Sequence, residues 1–471
     1  MASSIAIVSL VLCSPGHLAA QGGNAPGAPL SERATLASHT SSSSRLSLNE
    51  AIRIGVVRHP FIERSQSGSR ISKALTRQTR GSQYPWIEAS VAESSGSLRV
   101  VTSDGKDVHG QGGHGFDLGG ALPKHNQNML TGGLILNQLI TDFGYTAHRI
   151  LANEANEAAS EKDVLTNKAL VILMVQKAYL NCLLQQNLVE IATATLTRRK
   201  AVRDQVQTLY RHQLKPKVDL DLVLVEVSNA ELLLIRAQND LKQAFAGLHN
   251  AMGIQGSDSY ELEKIPIAIT SIQDPERLVT IGLRDRPELL VGHDRIVASE
   301  ELLKAVKALN FGSLTAVGVI GVTKYWDVHD SGIHDNQVAP LWGIGATAKL
   351  PLFTGFRIAN QIKEADHRRG EAEHELQNVA NEVVLQIIRA YLTQTTNAEQ
   401  IALERERVTF ANEALNLAQE RYRLGLGPII EVVRATTAVL EAESRFLEAQ
   451  YLYKTSEAAI AYATGQDYKR F

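Results

Sequence analysis

Three kinds of side chain in this sequence have types that chemistry uses, and spacing decides against each. Asp219 and Asp221 stand two apart and Glu300 and Glu301 are adjacent, but neighbours one or two apart on a helix do not face each other, so neither pair forms an acid–base couple. His109, His114, His125, His329 and His334 gather in two glycine-rich stretches. Their separations are too loose for convergent metal ligands, and they read as solvated loop residues. The run GIGATA at 343–348 has the glycines of a phosphate loop, yet it sits in alternating strand-like sequence with no helix following. Two cysteines, Cys13 and Cys182, make no disulfide framework. No GxSxG elbow, HExxH pair or CxxC occurs. The chain is expected to be no enzyme, with no catalytic, metal or cofactor-binding residue.

Two acids remain. Asp219 and Glu431 each open a helix, where a carboxylate complements the helix dipole for a few tenths of a kcal/mol. Their wider setting is a repeat. Subtracting 212 carries Tyr391 to Tyr179, Tyr422 to Tyr210, Pro428 to Pro216, Glu431 to Asp219 and Gly465 to Gly253, with no gap between. Within that window Val432, Ala435, Val439, Ala442, Phe446, Ala449 and Tyr453 step by three and four. Large and small apolar residues alternate at a period of seven, and the first copy does the same from Leu220. That is a coiled-coil seam whose small residues permit close helix approach. From Tyr145 to about Leu214 there is neither proline nor glycine, and Phe356 to about Leu424 holds one glycine, Gly370. At 1.5 Å per residue each is a helix roughly 105 Å long. Both end in a tight turn, LKPKVDL at 214–220 and GLGPIIEV at 425–432, and return. The chain is therefore a tandem duplication of a long helical hairpin.

Bulk properties narrow the class. The 471 residues carry a net charge of −2 and a pI near 6.7, so no basic field advertises nucleic acid. The first 20 residues read as a secretory signal, although a basic start is missing. Leu12 before Cys13 is bulky where a lipidation site wants a small residue. Residues 21–45 form a Gly, Ala, Ser and Pro-rich flexible leader. The first repeat spans 46–253, a connector 254–273, the second repeat 274–465 and a short tail 466–471. Each repeat opens with a short helix, from the capping box Ser47–Glu50 to before Pro60 and from Asp274-Pro275-Glu276 to before Pro287. A second helix runs on to about Arg80 and about Asn310. The openings match at an offset of 227, so roughly 15 residues differ in the connecting region.

Between these openings and the long helices the period changes to two. Strands are expected from Trp86 to about Val100, Gly133–Ile140, Leu314–Tyr325 and Leu341–Leu352, with the polar stretch 101–131 and a second polar loop between them. Trp342, Ile344, Ala346, Ala348 and Leu350 line one face of the last, against Gly343, Gly345, Thr347 and Lys349, as in a wall between lipid and water. All three tryptophans, Trp86, Trp326 and Trp342, fall at strand ends, the place of a membrane-interface girdle. No segment has 18 uninterrupted apolar residues, so membrane contact must come through strands. Four strands cannot close a barrel, and open edges in hydrocarbon leave costly unpaired backbone groups. Strands from several copies must share one barrel, and three copies give twelve.

QLITDFG at 138–144, LPLFTGF at 350–356, and the paired turns with Tyr210, Pro216, Tyr422 and Pro428 resemble the TolC-like outer-membrane efflux protein family. YRLGLGPIIEVVRATTAVLEAE at 422–443 resembles that family's second periplasmic tip. The resemblance covers nearly all of the chain beyond the leader. It implies a mainly α fold with a small membrane β-barrel: duplicated α-hairpins forming a trimeric α-barrel, and four strands per chain in a shared twelve-stranded barrel. It further implies a homotrimer in the outer membrane of a Gram-negative bacterium with a long periplasmic extension. Such a protein is a passive exit duct for efflux or secretion, gated at its helical tip. Its partners are a periplasmic adaptor, an inner-membrane transporter and outer-membrane lipid. Glu431 matches a position where the family often has an acid lining the constriction, with Asp219 its repeat counterpart. Arg434 stands where some members have a second acid, so a Glu–Arg pair between or within chains can replace an acidic gate. Leu214, Lys215 and Pro216, with Gly425, Leu426, Gly427 and Pro428, mark the tips where an adaptor docks. The alternatives are a duct dedicated to type I protein secretion and, from another class, a periplasmic coiled-coil scaffold that leaves the strands unexplained.

Overall fold

The computed structural model describes residues 45–96, 127–256, 259–269, 273–329 and 332–469. The signal, the leader before Arg45, Cys13, His109, His114 and His125 lie outside these.

The duplication is visible helix by helix. Helix α1 (Leu48–Arg58) and α2 (Pro60–Gly81) recur as α5 (Pro275–Asp285) and α6 (Pro287–Ala308). The long helix α3 (Tyr145–Arg211) and its return α4 (Lys217–Ala251) recur as α7 (Arg357–Arg423) and α8 (Ile429–Ala463). The long helices are 67 residues each and the returning ones 35 each. Half of the capping box is formed: Ser47 Oγ accepts from the Glu50 N–H at 3.2 Å, while the Glu50 carboxylate takes Arg53 at 3.1 Å. Asp274 caps α5 by position, without a side-chain bond.

Both long helices stop by the same device. Gln213 and Gly425 have positive φ (59° and 74°), and the next N–H reaches back to a carbonyl in the last turn (Leu214 to Leu209, Leu426 to Arg421). This motif satisfies carbonyls that the helix end would otherwise leave bare. Pro216 and Pro428 then stand at the N-caps of the returning helices, where a missing N–H costs nothing.

The period-seven seam is the core of each hairpin. Val223, Ala230, Ala237, Ala244 and Leu248 are buried on α4, and Val432, Val439, Ala442, Ala449 and Tyr453 on α8. Each large member removed from water contributes about 1.5–3 kcal/mol. In the half towards the tip, α3 packs between α4 and α8; in the other half it packs between α2 and α6. Thr76 and Arg80 of α2 meet Asn153 and Glu154, whereas Arg198 meets Glu443 of α8. Helix α2 thus continues the line of α4, and α6 that of α8. Where α1 and α5 press on the long helices only glycine fits. A Cβ on Gly55 would lie 2.8 Å from Val175 Cγ2.

The connector is not structureless. Its strand β4 (Glu261–Leu262) pairs in parallel with β1 (Arg45–Leu46). Buried Tyr179 donates its hydroxyl to the carbonyls of Leu46 and Glu263, at 2.7 and 3.0 Å. Residues read as spacer are therefore strapped across the first hairpin.

Four strands, β2 (Trp86–Gly96), β3 (Gln127–Thr141), β5 (Ser313–His329) and β6 (Gly332–Lys349), make one antiparallel sheet in the order β2-β3-β5-β6. Three boundaries differ from the sequence expectation. β3 begins at Gln127, inside the expected polar stretch, because cross-strand pairing with β2 and β5 carries its polar start. β5 and β6 replace the expected second loop, with only residues 330–331 between them. β6 stops at Lys349, so Leu350 and Leu352 lie beyond the strand. At mid-sheet Gly133 pairs with Gly321. A Cβ on Gly133 would stand 2.6 Å from the Ile320 carbonyl oxygen, an approach no side chain allows.

Candidate functional site

Two regions carry the residues singled out by sequence, the helical tip and the sheet. At the tip the end of α7 approaches the start of α4, on the other hairpin. Tyr422, buried on α7, donates its hydroxyl to Asp219 Oδ2 of α4 at 3.3 Å. Burial first and then the Asp219 charge push the Tyr422 phenol above its ordinary value, so it remains a donor at any physiological pH. Lys215 Nζ lies 4.4 Å from the centre of the same ring. Around it Val206, Val223, Leu415, Ile429 and Val432 form an apolar cluster shared by all four hairpin helices.

Glu431 has a different partner from the one its sequence neighbours suggest. Its carboxylate sits 3.4 Å from Arg421 Nε on α7, across the turn. Arg434 is exposed, and among the described residues no ion pair joins it to Glu431. Within the chain, then, Glu431 is met by Arg421. The reversal at Gly425 folds Arg421 back over the start of α8. Gly427 leaves room for this: a Cβ there would lie 2.8 Å from Glu431 Oε2. Asp219 lies away from Glu431 in its contacts, taken up by Tyr422. The structure thus puts Asp219 and Glu431 in separate bonds.

Leu214, Pro216, Gly425, Leu426 and Pro428 are exposed at the two turns, with Lys215 and Gly427 half-buried. Further along the hairpins Arg199 is almost fully buried and ties three helices. It meets Glu226 of α4 at 2.7 Å and Thr437 Oγ1 of α8 at 3.3 Å. Beside it Arg198 grips Glu443 of α8 with two bonds, at 3.2 and 2.7 Å. Neither arginine stood out in the sequence, since each reads as one more charge on a helix face.

In the sheet, pairing partners share a face, so the register sorts every side chain. Ile87, Leu136, Leu134, Ile320, Val322, Ile344, Trp342 and Pro340 fall on one face. Glu88, Ser90, Asn137, Gly133, Thr131, Thr323 and Gly343 fall on the other, with a few apolar residues among them. The first face is apolar over its middle, with Gln138 towards one end and Glu93 and Lys324 towards the other, and is exposed at Val91, Ile320, Trp342 and Ile344. The tryptophans do not form one belt. Trp86 pairs with Asn137 and therefore lies on the mixed face, opposite Trp342. Trp326 pairs with Asn128, and its side chain, like those of His329 and His334, is outside the described residues. The aromatics sequence reading missed stand where the sheet meets the long helices. Phe143 and Phe311 lie 6.1 Å apart and Phe353 and Phe356 lie 5.8 Å apart, all four exposed. Phe143, Phe353 and Phe356 entered the sequence reading only inside the QLITDFG and LPLFTGF motifs.

No group of three His, Cys, Asp or Glu side chains able to hold a metal occurs among the described residues. No described helix is long and apolar enough to cross a membrane.

Comparison with known proteins bears on this arrangement. The family model for outer membrane efflux proteins matches residues 58–254 and 283–466, the two repeats. Outer membrane protein TolC of Escherichia coli K12 is 22% identical over 357 residues, covering 72% of this chain and 70% of that protein. Outer membrane efflux protein BepC of Brucella suis is 22% identical over 340 residues, covering 71% and 72%. Among solved structures, the outer-membrane channel OprN superposes with a TM-score of 0.73 at 18% identity, covering 90% of both chains. VceC of Vibrio cholerae superposes at 0.71, with 18% identity over 89% of this chain and 96% of that one.

Proposed function

We propose, proceeding from the fact that this chain belongs to the outer membrane efflux protein family, that three copies form one channel serving as the passive exit duct of a tripartite efflux or secretion system. The chain is an outer-membrane protein with an α-barrel and β-barrel fold, and the finer reading rests on the sheet. Strands β2 and β6 are each paired along one side only. In hydrocarbon the free side of an 18-residue strand such as β6 must be paired, because each bare N–H or C=O costs several kcal/mol. Copies joined β6 to β2 close the ring, and three of them give a barrel of twelve strands with the apolar face outward. Trp342 and the four phenylalanines at the helix junction then belong to the lipid boundary, while Trp86 faces the lumen side.

The duct performs no bond chemistry and takes its energy from a transporter in the inner membrane, reached through a periplasmic adaptor. The adaptor docks at the exposed turns 214–216 and 425–428. At rest the tip is held closed by bonds between hairpins. Tyr422–Asp219 ties the two hairpins of one copy, and Arg421–Glu431 fixes the second turn. Glu431 and Arg434 remain the charged groups nearest the constriction. Opening swings one hairpin away from the other, which the adaptor brings about by binding the swung state more tightly.

Purified protein inserted into a planar lipid bilayer tests the reading. Discrete ion-conducting steps are expected. Insertion, confirmed by protease protection of the strands, without any conducting step overturns it.

A further inference from the structure

The two repeats bend their short helices at matching places, and the residue at the bend differs. His59 stands at the N-cap of α2 and Arg286 at that of α6, with φ, ψ of −69°, 123° and −67°, 124°. Proline follows each, and a shift of 227 residues carries one position onto the other. Each bend also seats a glycine of positive φ from the end of a returning helix. A Cβ on Gly253 would lie 2.6 Å from His59 Cα, and one on Gly465 would lie 2.8 Å from the Asp285 carbonyl oxygen. The bends are the roots of the two hairpins, one backbone built twice.

Their side chains hold them by different chemistry. Arg286 is buried, and its guanidinium donates to the Tyr462 carbonyl at 3.1 Å and to Gln386 Oε1 at 3.0 Å. It also pairs with Glu288 at 3.0 Å and lies 4.6 Å from the centre of the Tyr462 ring. That charge is permanent. In the first repeat the counterparts of Glu288 and Gln386 are Phe61 and Met174, so a cation at residue 59 has neither partner. Half-buried His59 instead accepts the Phe61 N–H at Nδ1, at 3.2 Å, with the Phe61 ring edge-on at 6.4 Å. A backbone amide can only donate, so Nδ1 carries no proton and the imidazole is neutral.

A proton on Nδ1 undoes this cap twice over. It removes the acceptor, and it places positive charge at the helix N-terminus, where the dipole is already positive. The charged or titratable groups on the elements around the bend are Arg58 and Glu63 beside it, Lys168 and Lys177 of α3, and His249 near the end of α4. His249 Nδ1 is taken up by the Phe245 carbonyl at 2.8 Å. None of these sets the value of the His59 imidazole, which burial alone lowers from the ordinary 6.5. A group lowered on folding stabilises above its unfolded value and loses that contribution as pH falls through the folded one.

We infer that His59 makes the α1–α2 bend an acid-sensitive joint. On taking a second proton it releases the Phe61 N–H and the first turn of α2 opens, while the α5–α6 bend, held by Arg286, stays closed. Acid thus loosens the root of the first hairpin and leaves that of the second intact. The joint lies within one chain, so it stands apart from the trimer reading above.

Hydrogen exchange of the full-length protein in detergent, corrected for the intrinsic pH dependence of exchange, reads both bends at once. Between about pH 8 and about pH 4.5, amides 61–66 are expected to lose protection about fivefold, the value of one N-cap bond, while amides 288–293 keep theirs. His59→Asn, which caps without titrating, is expected to hold 61–66 protected at both pH values. His59→Ala is expected to show the acid level of exchange at both. Protection at 61–66 that ignores pH overturns the inference. So does an acid loss that persists in His59→Asn, or one of equal size at 288–293.

Discussion

Removing one oxygen at the tip separates a latch from ordinary packing. In Tyr422→Phe the ring, its burial and its contact with Lys215 persist, and only the bond to Asp219 is lost. A hydrogen bond to a charged acceptor contributes about 1.5–3 kcal/mol, and at 3.3 Å this one belongs near the lower end. About 1.5 kcal/mol per copy changes a closed-to-open ratio roughly tenfold. Three copies opening together lose about 4.5 kcal/mol, a shift on the order of a thousandfold. Single-channel recording in planar bilayers reads this directly, as longer or larger open events. Asp219→Ala should act similarly, and the double variant should add little to either single one, since all three remove the same bond. Unchanged conductance in both single variants, or fully additive effects, would refute the latch.

Three further outcomes follow from other parts of the molecule. Tyr179→Phe strips a buried donor from two carbonyls and should cost about 1–3 kcal/mol, read as faster proteolysis of the strap around residues 259–269. Gly133→Val puts a side chain into the Ile320 carbonyl and should force β3 and β5 apart, read as loss of the detergent-stable oligomer while helical circular dichroism is retained. Asp285 is held down to about 2 by its bond to Arg284, with Lys469 of the C-terminal turn adding to the effect. A depressed carboxylate stabilises above its unfolded value and loses that contribution as pH falls through the folded one. The C-terminal turn should therefore stay protected from hydrogen exchange at pH 4 and open as pH approaches 2, and Asp285→Asn should abolish that transition.

What the sequence disclosed depended on the range of the signal. The period-seven rows of Val432 to Ala463 and Leu220 to Ala251 are local, and so is the absence of glycine from Tyr145 to Leu214; both hairpins were legible to within a few residues. Strand limits were less so. Gln127 and Asn128 are polar enough to read as loop, and only their partners across the sheet make them strand. Leu350 continued an alternation that the backbone abandons at Lys349, just before Pro351. The faces of the sheet depend on register, so Trp86 and Trp342 looked like one girdle until pairing put them on opposite sides. At the tip, Tyr422 and Asp219 lie 203 residues apart, and nothing near either one announces the other. Arg434 attracted attention by matching a position where some members of the family have a second acid, but the turn at Gly425 brings Arg421 to Glu431. Arg199 is invisible in sequence because burial among three helices, not its type, makes it unusual.

The central claim is that three copies enclose one passage. Native mass spectrometry of protein extracted from outer membranes into detergent micelles measures the stoichiometry directly. A single species of three chains, released to monomers only on unfolding, is the expected result. A folded single chain that stays in solution once the detergent is removed would contradict it.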